Sequence, residues 1–141
     1  MSFIFQAIPE RYDLRERLEE GKRVAWVASR YMDQMKVGEV VYFWLAGNIS
    51  HRGLYGWGKI SGAPVPDEAS GYRVEVQYRR NFLAHEPRRH IPSETVAADP
   101  VLGGHLLFRM PIGTNFLLTD QEDTALRNLI GNELGQQNVP T

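Results

Sequence analysis

Residues 39–46 read EVVYFWLA, and residues 53–60 read GLYGWGKI after a polar loop. The first run is apolar at every position from Val40 to Ala46. Successive side chains of an extended chain alternate, so Val40, Tyr42 and Trp44 share one face and Val41, Phe43 and Leu45 the other. A strand that is apolar on both faces is covered on both, which makes this the central strand of a sheet lying between two packed layers. The second run is expected to return antiparallel beside it. In that run Gly56 and Gly58 alternate with Tyr55 and Trp57. Glycines at alternate positions mark a strand that bends sharply or lets another group reach its backbone. The curvature of a barrel is the commoner of the two causes.

Upstream, residues 24–31 read VAWVASRY, a short strand that breaks at Ser29. This segment crowds Trp26, Arg30 and Tyr31 at a strand end. Residues 2–8 form an expected first strand. Asp13 with Glu16 three residues on resembles a capping box for a short helix carrying Leu14 and Leu18, which Gly21 closes. Residues 22–28 form the second strand, and Tyr31, Met32 and Met35 suggest a helical turn before the next one. Downstream, residues 72–78 alternate, with Tyr72, Val74, Val76 and Tyr78 inward and Arg73, Glu75 and Gln77 outward. Ser93 is placed to cap a short helix that Pro100 stops, and residues 106–110 read as one more strand. Thr119 with Glu122 is a second capping box, opening a helix with Leu126, Leu129 and Ile130 on one face. The tail GQQNVPT, residues 135–141, is expected to fray. Many short strands and few helices give an α+β fold, a small curled sheet or barrel with helices at its ends. Residues 1–134 make up its single domain.

The chain has 141 residues and no cysteine, so disulfides and thiolate metal sites are excluded. The segment MSFIFQAIPERYD has no basic region and only a brief apolar run, unlike a signal peptide. No apolar stretch approaches the ~20 residues that span a bilayer. The expected location is cytoplasmic. The net charge is −1, yet Arg73, Arg79, Arg80, Arg88 and Arg89 crowd residues 72–91 with His85 and His90, against only Glu75 and Glu86. Such a stripe is either the footprint of a phosphate backbone or a solvated face of mixed charge.

Catalytic and metal motifs are absent. His51, His85, His90 and His105 lack zinc-site spacing, and the pair His85/His90 sits among arginines that would repel a cation. There is no nucleophile elbow, P-loop or dinucleotide fingerprint, since GLYGWG has neither the lysine nor the helix that phosphate binding requires. No metal and no cofactor is expected.

Several motifs occur in a telling order: FQAIPERYDL, then W-V-x-x-R-Y, M-K-V-G-E-V-V-Y-F-W, G-x-Y-G-W-G-K-I and G-T-N-F-x-L-T-x-x-E. In this the chain resembles the EVE domain, whose fold is similar to that of PUA and YTH domains, over nearly its whole length. The resemblance implies a PUA-like pseudo-barrel of mostly antiparallel strands with short flanking helices. It also implies a module that holds a single, often modified, base between aromatic walls, in DNA or RNA, and acts alone or beside a restriction-type nuclease. By that resemblance Trp26 is one wall of the cage, Ser29, Arg30 and Tyr31 follow along its rim, residues 6–9 face the base edge beginning with Gln6, and Asn115 is a further polar pocket residue. A closely related QANP motif would carry Asn at position 8. Here Ile8 removes one amide contact. Tyr72, Trp44 and Trp57 are candidates for the second aromatic wall.

An aromatic stack contributes about 1–3 kcal/mol and accepts any base. Selectivity must therefore come from polar groups fitted to one base edge, here Gln6, Ser29 and Asn115. Arg79, Arg80, Arg88 and Arg89 are placed to hold flanking phosphates, which position without specifying. A nuclease or restriction enzyme is the expected effector. Two other classes stay open on the sequence: an enzyme acting on RNA or a nucleotide, and a small-metabolite binder that needs no basic stripe.

Overall fold

The central strand is β3, Val40–Leu45. The computed structural model, which describes residues 1–110 and 112–141, sends its side chains into two separate cores. Val41, Phe43 and Leu45 enter one core with Phe3, Phe5, Trp26, Val74, Val76 and Tyr78. Val40, Tyr42 and Trp44 enter the other with Ile4, Leu54, Trp57, Phe116, Leu126 and Ile130. Both faces of the strand are thus dry, as its sequence requires.

The remaining strands are β1 (Ser2–Ala7), β2 (Arg23–Val27), β4 (Gly53–Asp67), β5 (Gly71–Asn81), β6 (Ile91–Pro92) and β7 (Asn115–Leu118). They form one sheet in the order β2-β5-β4-β3-β1-β7, with β6 beside β4. Among the described residues only the β1–β3 pairing is parallel, with Gln6 opposite Trp44. The sheet does not close by a strand ladder, since β2 and β7 are its two ends. Short helices α1 (Leu14–Arg17) and α2 (Ser93–Ala97) and the longer α3 (Asp120–Leu134) flank it. No helix is long and apolar enough among the described residues to cross a membrane.

The alternate glycines of β4 serve curvature. A Cβ on Gly56 would lie 2.1 Å from the Arg80 carbonyl oxygen, and one on Gly58 2.3 Å from that of Gln77. The bare backbone lets β4 press onto β5, and the register shifts between Trp57 and Gly58. On its other side β4 carries Tyr55 as an extra residue between the Trp44–Leu54 and Phe43–Gly56 pairs, and this bulge breaks the expected alternation. Tyr55 and Trp57, two apart, were expected on one face but enter different cores.

Four further expectations change. Residues 106–110 are not a strand: Leu106–Phe108 is a 3-10 turn, capped where His105 Nδ1 accepts the Leu107 N–H, and the strand starts at Asn115 instead. Asp13 does cap α1, but its side chain accepts from Arg15 N, and the Arg15 side chain folds back onto it at 2.9 and 2.8 Å. Glu16 is left exposed, so no box forms there, whereas Thr119 and Glu122 form both bonds of theirs. Tyr72 stands 38% exposed, because β2 covers β5 only as far as the Val27–Arg73 pair. The tail is docked, and Asn138 is 1% exposed. Its amide donates to the carbonyls of Leu134 (2.9 Å) and Glu86 (3.2 Å) and accepts from Arg80 Nε (3.0 Å), while its own carbonyl accepts the Trp57 indole N–H. A polar side chain satisfied on every side is stable in a core.

Candidate functional site

Where β1 ends, the chain turns at residues 8–12, held by Ile8 O accepting from Arg11 N and Tyr12 N at 2.9 Å each. Across from this turn runs β2. A slot of about 240 Å³ lies between them, lined by Gln6, Ala7, Ile8, Arg11 and Tyr12 on one side, by residues 24–27 on the other, and by Arg73 and Thr114. It follows the line along which the sheet fails to close.

Trp26 lines this slot from its inner side. The ring is 8% exposed and belongs to the core, with Phe43 at 5.5 Å and Phe5 at 5.8 Å between centroids. Its indole N–H donates to Tyr78 Oη at 3.0 Å, and Tyr78 Oη shares a 2.7 Å bond with Tyr12 Oη. Burial holds the Tyr78 phenol far above its usual range, and the Tyr12 contact adds to this, so Tyr78 stays neutral. The sequence nominated no residue for the position Tyr12 occupies. Its ring stands edge-on to Trp26 at 5.5 Å and 72°, with the Arg17 guanidinium 5.7 Å above it. It is the second aromatic of the slot, and the signal missed was its place four residues after Ile8, on the return of the tight turn.

The eight nominated pocket residues divide among four places. Gln6 and Trp26 line the slot. Ser29, Arg30, Tyr31 and Tyr72 line an open groove next to it, with Met32, Asp33 and Pro64. The Arg30 guanidinium sits 5.5 Å over the Tyr31 ring, and Tyr31 has φ of +61°, a left-handed conformation that is costly for a bulky residue. Asn115, fully buried, is a brace behind the slot. Its Oδ1 accepts from Ser29 N at 2.9 Å, and its Nδ2 donates to Val27 O at 3.0 Å. These bonds tie β7 to the end of β2, so one side chain joins the two ends of the sheet. Trp44 shares no wall with Trp26, because strand alternation puts Phe43 beneath the indole and turns Trp44 to the other core. Trp57 lies in that other core too.

The four nominated arginines stand away from the slot, at the far end of β5 and in the loop after it. Arg79 bonds to Gln77, Arg80 to Asn138, Arg88 pairs with Glu86, and Arg89 reaches both the carboxylate and the carbonyl of Glu133. The guanidiniums lining the slot are Arg11 and Arg73. Arg73 is held by Asp67 at 2.5 Å. Arg11 is exposed and has no ion pair among the described residues.

A second cluster has acid–base character without any catalytic geometry. The His90 ring stacks on Tyr55 at 4.7 Å and 1°, and its buried Nε2 has no partner among the described residues. Burial lowers the His90 pKa, helped by His51 and Arg89 nearby. A depressed base loses folding stability as pH falls through its unfolded value of about 6.5, because only the unfolded chain then takes up the proton. Thermal melts across that window are expected to show the midpoint falling with pH. In His90→Phe, which keeps the stack, that part of the fall should vanish. An unchanged acid limb would show that His90 is not its source.

No family model matches the chain, and no curated protein matches its sequence. Solved structures do match its fold. The NMR structure of Rpa0253 from Rhodopseudomonas palustris superposes with a TM-score of 0.73 at 15% identity, over 94% of each chain. The human THYN1 protein in complex with 5-methylcytosine-containing DNA gives 0.68 at 20% identity, over 94% of this chain and 97% of that one. The DUF55 domain of human thymocyte nuclear protein 1 gives 0.65 at 21% identity, over 95% and 99%. The chain shares the PUA-like α+β fold of these structures, an unclosed mixed sheet with a few short helices.

Proposed function

We propose that the chain is a non-catalytic nucleic-acid-binding module that receives a modified base, of the methylated kind, in the Trp26 slot. The observation that carries this reading is the slot itself, an aromatic-lined opening at the unclosed edge of a fold whose human counterpart THYN1 is seen with 5-methylcytosine DNA. At about 240 Å³ it falls just under the ~300–1,000 Å³ of pockets for drug-sized ligands, which suits one planar ring rather than a whole nucleotide. Trp26 and Tyr12 supply the aromatic surface, and Gln6 stands at the base edge. Arg11 and Arg73 are the nearest cations for the flanking phosphates, and the groove of Ser29, Arg30, Tyr31 and Tyr72 carries the neighbouring strand. Arg79, Arg80, Arg88 and Arg89 extend the basic surface for a longer nucleic acid, with Arg79, Arg88 and Arg89 exchanging weak exposed contacts for phosphates. Reading without cutting leaves the chemistry to a separate effector, a nuclease or restriction-type partner.

The test is a titration against labelled oligonucleotides, DNA and RNA, each with one cytosine that is unmodified, methylated or hydroxymethylated. A methyl group seated in an apolar pocket is expected to favour its ligand about 10–200-fold. Affinity is also expected to fall linearly in log–log form as salt rises, with a slope reporting a few phosphate contacts. Equal affinity for methylated and unmodified strands, or salt-independent binding, overturns the reading.

A further inference from the structure

On the opposite face of β1 from the core that holds Trp26 lies a second cavity, about 250 Å³, lined by Gln6, Trp44, Ala46, Gly47, Arg52, Leu107 and Phe108. Gln6 and Trp44 are register partners on adjacent parallel strands. The aromatic surface is a T-shaped pair, with Phe108 edge-on to Trp44 at 5.7 Å and 81°. The Trp44 side chain is almost wholly buried, and its indole N–H makes no hydrogen bond among the described residues.

Arg52 supplies two more donors. Its Nε and Nη2 both donate to Gly47 O, at 3.0 and 2.8 Å, which fixes one side of the guanidinium. The end-on edge, with one N–H from each Nη, then presents two parallel donors. No carboxylate pairs with this guanidinium among the described residues. A ring-sized apolar cavity that offers donors from Trp44 and Arg52 selects a planar ligand with adjacent acceptors. Guanine has this pair in O6 and N7, whereas adenine puts an amino donor beside N7 and so sets donor against donor.

We infer that this cavity binds a guanine ring, with O6 and N7 on Arg52, the ring against Trp44 and Phe108, and the Watson–Crick edge toward the mouth. The site is separate from the Trp26 slot, although Gln6 touches both. Guanine reaches it either as a free nucleotide or as a neighbour of the modified base in one strand.

The experiment follows the Trp44 indole N–H resonance of the full chain during addition of guanosine, adenosine and cytidine monophosphates and of inorganic phosphate. Guanosine monophosphate is expected to give a saturable shift that the other three do not, reduced at least tenfold in affinity by Arg52→Gln. No shift, the same shift with phosphate alone or with the adenosine nucleotide, or a shift kept in Arg52→Gln each overturns the site. A parallel arm compares oligonucleotides with guanine or adenine beside a methylcytosine. A guanine preference lost in Arg52→Gln, with the methyl preference kept, identifies strand-borne guanine. Binding of the nucleotide without any such preference identifies the free form. The nucleotide arm stands even where the modified-base reading fails, so the two failures are separable.

Discussion

Trp26→Ala is expected to cost about 3–5 kcal/mol of folding stability, the range for truncating a large buried aromatic. The ring packs on Phe5, Phe43 and Tyr12, and its N–H occupies Tyr78 Oη. Against the ~5–15 kcal/mol of an ordinary domain, that leaves a folded but weakened protein. Base binding should fall with it, by the 1–3 kcal/mol or so of a lost stack. Trp26→Phe separates the two effects, since it keeps an aromatic surface on the slot and gives up the bond to Tyr78 and part of the ring volume. Urea denaturation of both variants, beside oligonucleotide titrations at a denaturant-free reference, checks this. A Trp26→Ala protein as stable as the parent would show that the indole is not the packing element described here. One that binds a methylated strand as tightly as the parent would remove Trp26 from the site.

Asn115→Ala carries the next largest effect. The substitution takes away the acceptor of Ser29 N and the donor to Val27 O. Val27 O is left without its buried donor, whereas Ser29 is exposed enough for water to replace its bond. One stranded backbone group and a small void give about 2–3 kcal/mol. The loss should concentrate at the join of β2 and β7. Hydrogen exchange is expected to quicken at Ser29 and at the neighbouring β2 amides well before β3 changes. Uniform loss of protection throughout the sheet would contradict the bracing role. Asn115→Asp keeps the acceptor but not the donor, and should fall between the parent and the alanine variant.

The parts of the fold that the sequence disclosed are those governed by local rules. Seven successive apolar positions from Val40 to Ala46 admit no surface strand, and the two faces assigned to them are the two cores. The Thr119–Glu122 box formed as written, because both of its bonds lie within one turn. Elsewhere a distant partner decided the outcome. Trp57 left the face of Tyr55 because Tyr55 is an extra residue where β4 pairs with β3, between the partners of Trp44 and Phe43, a bulge that only the neighbouring strand reveals. Asn138 looked like part of a fraying end because nothing near it in sequence announces Arg80, Glu86 and Trp57 as partners. The site shows the same division. Trp26 at a strand end pointed to the slot, but which aromatic would join it depended on the turn at Ile8 bringing Tyr12 back. Asn115 was expected in the pocket by resemblance alone, because a polar side chain reads the same in sequence whether it meets a ligand or a carbonyl of its own chain. The basic stripe was real in composition, yet tertiary contacts with α3 and the tail occupied much of it.

The bracing by Asn115 has a consequence for how a guest would enter. A full ladder between β2 and β7 would have to unzip several cooperative bonds before the two edges parted. Here parting breaks only the bonds of one amide, so it is local and leaves the two cores packed. The domain can therefore widen its mouth on a fast timescale without melting, much as a bag held by a single clasp opens without tearing its cloth.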